Sequence, residues 1–254
     1  MKPRQDALTS EKAMLRTAML CFAIGSLSCS ILRSPQREAP ELVGPYQDRQ
    51  IWAVAPLRNE SGSTQVEVLD LADHLARQLE GATNIDVLPL NRTLAAMEGL
   101  RLAQVNDATA AKGLRRTLGA NGLVVGTVTA YDPYDPPKLG LAIELYRDAD
   151  PDADDSVSAR ALRWAATEPQ TLPEDVRPSV GSGVSAFFDA ADPRVREQLQ
   201  VYATRRGAVD DPGSWHRYRK SMALFTEFVS YTVIQSLLRE EAQQMTVTID
   251  KPIP

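Results

Sequence analysis

Few side chains in this sequence could do chemistry, and the first of them is a cysteine near its start. The chain contains two cysteines and two histidines. No further cysteine follows Cys21 and Cys29, and His74 and His216 lie far apart along the chain. The chain after Cys29 therefore has no thiol for a disulfide or a metal site, and it is poor in bases that work near neutral pH. We predict no catalytic residue, no cofactor and no metal site.

The residues before Cys29 have the pattern of an export signal. Residues 17–28 (TAMLCFAIGSLS) carry no charge, and they follow the basic residues Lys2, Arg4, Lys12 and Arg16. A run of about 12 residues is too short to cross the roughly 30 Å of bilayer hydrocarbon as a helix, but it suits the apolar region of a secretory signal peptide. We predict a signal peptide over residues 1–28, and no later segment approaches membrane-spanning length.

The end of this uncharged run resembles a bacterial lipobox. Ser26, Leu27 and Ser28 stand directly before Cys29, although the leucine of that motif usually lies three residues before the cysteine and here lies two before it. The resemblance implies a lipid on Cys29, and a diacylglyceryl group there would anchor the chain stably, whereas a single acyl chain binds a membrane only reversibly. Ordinary cleavage after Ser28, with secretion and no lipid, is the alternative. Residues 29–50, with several prolines and charges, predict a flexible tether.

Three aromatic residues on or beside predicted strands are candidates for a groove that binds a ligand or a partner. They are Trp52, Tyr131 and Trp164. Packing in the core or at a sheet edge is the alternative, because aromatic rings bury large areas in cores as well as in binding sites. For the two histidines we expect surface or capping roles, since neither has a nucleophile and an orienting acid near it in the sequence.

Two motif-like segments lack the context that their chemistry needs. Residues 181–186 (GSGVSA) match the glycine pattern of dinucleotide sites, but Pro178 and its polar neighbours predict a loop where such a site needs a strand. Five aspartates crowd residues 148–155, but Ala153 and Ala159 stand where a calcium-binding EF-hand loop needs glycine and glutamate. We interpret the first segment as a linker and the second as a solvated acidic loop.

The composition is that of an ordinary globular protein. Hydrophobic residues make up 43% of the chain and charged residues 24%, which argues against a disordered, collagen-like or coiled-coil chain. The formal net charge is -5. Binding to a phosphate backbone depends on clustered positive charge, so we expect no nucleic-acid partner.

From residue 51 onward, the hydrophobic pattern predicts strands and helices in an α/β arrangement. Strands are predicted where short apolar runs lie between turn residues, at residues 51–57, 85–90, 123–131, 139–147 and 156–164. Helices are predicted at residues 65–80, 92–101 and 108–118, the first from apolar residues that recur every three or four positions. Asn91 and Asp107 are expected as N-caps, and Gly81 as a left-handed C-cap. Strands that alternate with helices and end in a hairpin predict a mixed β-sheet flanked by helices.

Three passages carry a resemblance to a known family: VAPLRNESG at residues 54–62, IDVLPLNR at 85–92 and LRRTLGANGLVVGTVTAY at 114–131. They resemble the amino-terminal domain of TolB and its relatives, which include the curli-secretion lipoprotein CsgG, a flagellar outer-membrane lipoprotein and lipoprotein activators of penicillin-binding proteins. The resemblance covers roughly residues 50–165. It implies an α/β domain of an envelope lipoprotein or binding module rather than a catalyst. It also implies a role for Gly126, which would let a helix lie close to the sheet.

The second half of the chain predicts a linker and then helices. Residues 166–186 contain several prolines and glycines, which indicates a linker or long loop. Asp192 followed by Pro193 is typical of a helix start, and Gly207 of a helix end. A last helix of about 28 residues from Ser214 has a wide apolar stripe, which indicates packing on the domain. Binding to a membrane surface is disfavoured by the acidic residues Glu227, Glu240 and Glu241.

Together these patterns predict four parts and two possible functions. The parts are a signal peptide at 1–28, a tether at 29–50, a TolB-like α/β domain at 51–165, and a linker with a helical extension at 166–254 that packs on the domain. We expect a non-enzymatic envelope lipoprotein that is anchored by Cys29 on the periplasmic side and binds or assembles other proteins, its partner and oligomeric state being undetermined. The alternative is a soluble periplasmic ligand-binding protein.

Overall fold

The computed structural model of this protein describes residues 42–147, 182–206, 213 and 215–249, with side chains up to residue 246. Our predictions for the signal peptide, Cys29, the acidic loop, the strand at 156–164 and Trp164 lie outside the described residues.

The described residues form six strands and six helices. The strands are β1 (Gln50–Val54), β2 (Arg58–Asn59), β3 (Ile85–Val87), β4 (Gly122–Asp132), β5 (Lys138–Arg147) and β6 (Gly183–Asp189). The helices are α1 (Val68–Glu80), α2 (Leu90–Gly99), α3 (Ala108–Leu118), α4 (Pro193–Arg205), α5 (Trp215–Lys220) and α6 (Met222–Ile249). The predicted α/β fold, with a mixed sheet flanked by helices and a C-terminal helix, is confirmed.

All six strands belong to one mixed sheet. Its order is β3-β1-β4-β5-β6, and β2 pairs with β4 beyond the end of β1. β1 pairs in parallel with β3 and with β4, and β2 pairs in parallel with β4. β5 pairs antiparallel with β4 on one side and with β6 on the other. The parallel pairs follow from the connections, since at least one helix separates each parallel neighbour in sequence, and the short turn between β4 and β5 can join only antiparallel strands.

Helices cover both faces of the sheet and form two hydrophobic cores. Trp52 and Val54 of β1 point to the larger core, which α1, α4 and α6 complete. Ala53 and Ala55 point to the smaller core, which α2 and α3 complete. Because β1 is covered on both sides, its sequence is apolar at successive positions rather than at every second one.

Helix ends follow the sequence where a capping side chain is present. Asp107 accepts a hydrogen bond from the Ala110 N–H at 2.7 Å, and Asp192 accepts one from the Arg194 N–H at 2.7 Å, so these two predicted N-caps are confirmed. The prediction that Asn91 is an N-cap was wrong, because α2 begins directly after Pro89. The prediction that Gly81 is a left-handed C-cap was also wrong, because the φ of Gly81 is -81°. The left-handed residue in the turn after α1 is Asn84, with a φ of 59°.

Two segments that we predicted as connecting chain are part of the fold. Residues 183–186 of the predicted linker belong to β6, which pairs along its whole length with β5. Residues 42–49 of the predicted tether lie on the domain: Leu42 is only 4% exposed and bridges to Ala82. Both segments are short and contain glycine or proline. Their fixed conformation therefore depends on contacts with distant residues, which no local sequence pattern reveals. The division of the chain into domains stays a prediction.

The last predicted helix is two helices, of which α6 packs on the sheet and α5 packs on α4 and α6. The helix is interrupted at Ser221, which lies between α5 and α6. The residues of the apolar stripe on α6 face the larger core, with Phe225, Val229 and Ile234 fully buried. The apolar stripe of α6 is therefore covered by the larger core, and the role of the whole helical extension at 166–254 stays a prediction.

Candidate functional site

A fully buried carboxylate, Glu241, joins four separate parts of the chain. Its side chain lies on α6 and is 0% exposed. The Tyr46 hydroxyl donates a hydrogen bond to Oε1 at 2.6 Å, and the Ser182 hydroxyl donates one to Oε2 at 2.7 Å. The Arg147 guanidinium lies 2.8 Å from Oε1. We call Tyr46, Arg147, Ser182 and Glu241 the Glu241 cluster.

The position of each member explains what the cluster holds together. Arg147 is the last residue of β5 and Ser182 directly precedes β6. Tyr46 belongs to the segment just before β1. Glu241 therefore ties the segment before β1, the end of β5 and the start of β6 to α6.

Burial keeps Tyr46 in its protonated form. Removal of the phenol from water raises the pKa of Tyr46 far above its ordinary value, and the hydrogen bond to Glu241 raises this pKa further. Tyr46 therefore remains a hydrogen-bond donor at every physiological pH. Its ring also packs edge-on against Trp52, with centroids 5.9 Å apart.

The geometry of the cluster suits a structural role. Both oxygens of Glu241 accept short hydrogen bonds, and the positive charge of Arg147 neutralises the buried carboxylate. Breaking one such pair leaves a buried charge without compensation, which is strongly unfavourable. The carboxylate is enclosed and occupied, so it is poorly placed to take a proton from a ligand.

The segment before β1 is held at a second point by the turn after α1. The Thr83 N–H donates to the Leu42 carbonyl at 2.9 Å, and the Gly44 N–H donates to the Thr83 hydroxyl at 3.0 Å. The Asn84 amide donates to the Tyr46 carbonyl at 2.8 Å. A Cβ on Gly44 would lie 2.3 Å from the Thr83 carbonyl oxygen, so this close approach requires glycine.

A groove runs beside the cluster, between the same segment and the C-terminal part of α6. It has a volume of about 480 Å³ and is lined by Pro45, Tyr46, Met245 and neighbouring residues. This volume lies within the range of about 300–1,000 Å³ that is usual for small-molecule sites. The groove could therefore accommodate a small ligand.

The predicted groove residues do not come together. Trp52 is 0% exposed and lies in the larger core, where its indole occupies the space beside Gly122. Trp52 is in register with Gly122, and Tyr131 follows nine residues later on β4. At about 3.3 Å per residue, the backbone positions of Gly122 and Tyr131 are separated by roughly 30 Å. They therefore do not line one groove.

Tyr131 and His74 are half-buried, whereas His216 is exposed. Partial burial raises the pKa of Tyr131, and the nearby negative charge of Glu67 adds to this effect. Burial and then the neighbouring Arg77 lower the pKa of His74 on α1. His216 stacks on Trp215 with ring centroids 3.8 Å apart. None of these side chains belongs to the Glu241 cluster.

Sequence reasoning missed the Glu241 cluster, although one local signal was present. Ile234, Leu237 and Leu238 are buried on the core side of α6, and Glu241 continues the same face three and four residues further on. A charged residue at a core position of a helix predicts a buried partner. The partners themselves lie up to 195 residues away in the sequence, so the sequence could not name them.

No protein-family model matches the chain, and no curated protein matches it. Solved structures do show partial similarity. The LpoB C-terminal domain from Salmonella enterica is 10% identical, with 57% of this chain and 85% of that chain covered and a TM-score of 0.38. Lipoprotein GNA1162 from Neisseria meningitidis is 14% identical, with coverages of 64% and 98% and a TM-score of 0.36. The hypothetical protein CT253 from Chlamydia trachomatis is 10% identical, with coverages of 78% and 95% and a TM-score of 0.33.

These similarities are too weak to transfer a function to this chain, and the specific resemblance to TolB and CsgG stays a prediction. Among the helices of the described residues, none is both long enough and apolar enough to cross a membrane.

Proposed function

We propose that this chain is an exported envelope lipoprotein, attached to the periplasmic side of a membrane by lipid on Cys29, and that its α/β domain is a non-enzymatic module that binds or assembles other proteins. The observation that carries the proposal is the uncharged run of residues 17–28, which ends in small residues directly before Cys29 and follows a basic start. This order is that of a signal peptide before a lipidated cysteine.

The structure supports a short connection between anchor and domain. Leu42, the first residue that the structure describes, is buried and bridges to Ala82. The 13 residues from Cys29 to Leu42 span at most about 45 Å, at roughly 3.4 Å per residue. A lipid on Cys29 would therefore hold the domain close to the membrane surface, where it would meet other envelope proteins.

The non-enzymatic part of the proposal rests on the chemistry of the described side chains. The buried carboxylate of Glu241 is fully occupied by its three partners. Within the described ranges, no group of three or more histidine, cysteine, aspartate or glutamate side chains could hold a metal ion. A binding or assembly role requires neither kind of site.

Metabolic labelling with a clickable palmitate analogue tests the anchor. The wild-type chain should be labelled and should fractionate with membranes, whereas Cys29→Ala should lose both the label and membrane retention. Cys21→Ala is the matched control and should behave as the wild type, because Cys21 lies within the predicted signal peptide. The absence of label on the wild-type chain would refute lipidation.

The groove beside the Glu241 cluster supports a second candidate, a soluble periplasmic ligand-binding protein. A ligand that binds only the native state raises the apparent thermal stability in proportion to the logarithm of its concentration. A thermal-shift screen should then identify a stabilising compound, and Met245→Trp, which fills the groove, should abolish the shift. The anchored-module proposal predicts no such compound and a labelled Cys29.

A further inference from the structure

The edge strand β6 is unusually regular for the border of a sheet. It pairs with β5 residue for residue, from Gly183 opposite Glu144 to Asp189 opposite Lys138. Within the described part of the chain, β5 is its only strand partner. An edge of this length presents a row of backbone N–H and C=O groups that another strand can use.

Two hydrogen bonds at the ends of β6 show which of its backbone groups point outward. The Leu145 N–H donates to the Ser182 carbonyl at 2.9 Å, and the Ala190 N–H donates to the Pro137 carbonyl at 3.0 Å. In an antiparallel pair, hydrogen-bonded residues recur at every second position. The even-numbered residues of β6 therefore bond to β5, and the odd-numbered residues, from Gly183 to Asp189, direct their N–H and C=O groups away from the sheet.

Among its own described residues, β6 also lacks the basic charge, proline and bulge that usually protect an edge. Its sequence, GVSAFFD, contains no proline, lysine or arginine, and its register shows no bulge. Phe187 is 59% exposed although it is a large apolar residue. The single charge of the strand, Asp189, forms an ion pair with Lys138 of the same chain at 3.2 Å. Natural sheets normally block such an edge with charge, proline or a bulge.

We propose that β6 pairs with β6 of a second copy of this chain, in an antiparallel arrangement with its two-fold axis at Ala186. This register places Ser185 opposite Phe187 of the second copy and Gly183 opposite Asp189. All four outward-facing residues of each strand are then matched, which gives about eight hydrogen bonds between the copies. The two sheets become one continuous sheet.

A second copy suits this edge because the edge is self-complementary. The two-fold register brings no like charges opposite each other, since Asp189 faces a glycine. The Phe187 rings of the two copies become diagonal neighbours on the same face, about 7–8 Å apart, which is within reach of aromatic side chains. Isologous contacts of this kind close into dimers and do not propagate into fibres.

Photo-crosslinking of the full chain in its native membrane tests the pairing. Two copies with different affinity tags are co-expressed, and Phe187 is replaced in one of them by p-benzoylphenylalanine. Irradiation should join the two tags in one product, with the crosslink mapped by mass spectrometry to residues 183–189 of the other copy. The same probe at Tyr134, which is 70% exposed in the β4–β5 turn, is the control and should give no product with both tags.

Variants at Ser185 make the test independent of the probe. Ser185→Lys keeps the β5 ladder but places two lysines diagonally across the axis, and it should raise the dimer dissociation constant about tenfold or more. Ser185→Pro removes an outward N–H that β5 does not use, and it should have the same effect. Circular dichroism and thermal unfolding check that both variants are folded.

Three results would overturn the proposal. They are a crosslink confined to one chain, a crosslink from Phe187 to a different protein, and a wild-type chain that light scattering shows to be monomeric at every concentration up to that of the crosslinking experiment.

Discussion

At the scale of single residues, the Glu241 cluster is the feature on which the fold depends most. Two opposite charges are taken out of water together, and the cost is offset only because every oxygen of the carboxylate has a short partner. In such a site, removal of one charge is more damaging than removal of both. The cluster therefore contributes chiefly through the penalty that its disruption carries.

Substitution of Glu241 should destabilise the protein in a graded way. Glu241→Ala leaves Arg147, Tyr46 and Ser182 without their acceptor and should lower the free energy of unfolding by about 3–5 kcal/mol. Glu241→Gln keeps the shape and some hydrogen bonds, so a smaller loss is expected. Denaturant titration measures both variants. Glu240→Gln, one residue away on α6, is the control, and an equal loss there would show that the cluster is not special.

A second buried carboxyl, Glu144 on β5, predicts a pH dependence. The Tyr146 hydroxyl donates to Oε2 at 2.6 Å, and Oε1 has no partner among the described residues. Burial raises the pKa of Glu144 above its ordinary value of 4.5, against the opposing effects of Tyr146 and Arg58. The folded state then binds more protons than the unfolded state over this range, so stability must fall as the pH rises.

Comparison with Glu144→Gln isolates this contribution. Below pH 4.5 the carboxyl is protonated in both the folded and the unfolded chain, and its contribution to stability is fully present. As the pH rises through the folded-state pKa, the wild type should lose stability relative to Glu144→Gln. Unfolding curves of both proteins from pH 3.5 to 8 measure the difference. A difference that does not change with pH would show that Glu144 has its ordinary pKa.

At the scale of elements, two glycines show why the same residue type can be essential or dispensable. A Cβ on Gly126 of β4 would lie 2.9 Å from Ile143 Cγ2 and 3.2 Å from Leu57 Cδ2. Our expectation that Gly126 makes room for a helix was therefore wrong, because it makes room for side chains of β5 and of the β1–β2 connection. Gly113 on α3, by contrast, has nothing within 4 Å of the Cβ position.

The two alanine substitutions should therefore have opposite effects. Gly113→Ala should stabilise the protein by about 0.5–1 kcal/mol, since alanine loses less conformational entropy in a helix than glycine. Gly126→Ala should destabilise it by about 1–3 kcal/mol through overpacking. Thermal unfolding of both variants at one pH measures this contrast. Similar changes of the same sign would contradict the packing around Gly126.

At the scale of the whole molecule, the residues just before the sheet pack on the domain. Leu42 is buried, and Tyr46 reaches α6 through Glu241. The segment before β1 is thereby fixed to the turn after α1 and to α6. In the proposed lipoprotein, this attachment would set the distance between membrane and domain.

Truncation measures where the folded part begins. Chains that start at residue 30 and at residue 42 should have equal free energies of unfolding. A chain that starts at residue 50 loses the burial of Leu42 and the Tyr46 hydrogen bond, and it should be less stable by about 3 kcal/mol or more. Equal stability of all three would show that residues 42–49 contribute nothing. A loss already at residue 42 would move the start of the folded part toward Cys29.

The sequence by itself determined the features that depend on near neighbours. The apolar period predicted the central strands and the helices α1 and α3, and the capping side chains Asp107 and Asp192 marked helix starts that the structure confirms. Such features rest on contacts within a few residues, which a local pattern contains. The α/β class followed, because strands that alternate with helices have few ways to pack.

Only the tertiary structure decided which distant residues meet. Glu241 contacts Tyr46 and Ser182 across 195 and 59 residues of sequence, and Trp52 proved to be a core residue rather than part of a groove with Tyr131. The first four residues of the edge strand β6 lay within a predicted linker, because a short strand segment rich in small residues is stabilised by its neighbour rather than by its own sequence. Local patterns record the tendency to be buried or extended, whereas the partner is fixed by the packing of the whole chain.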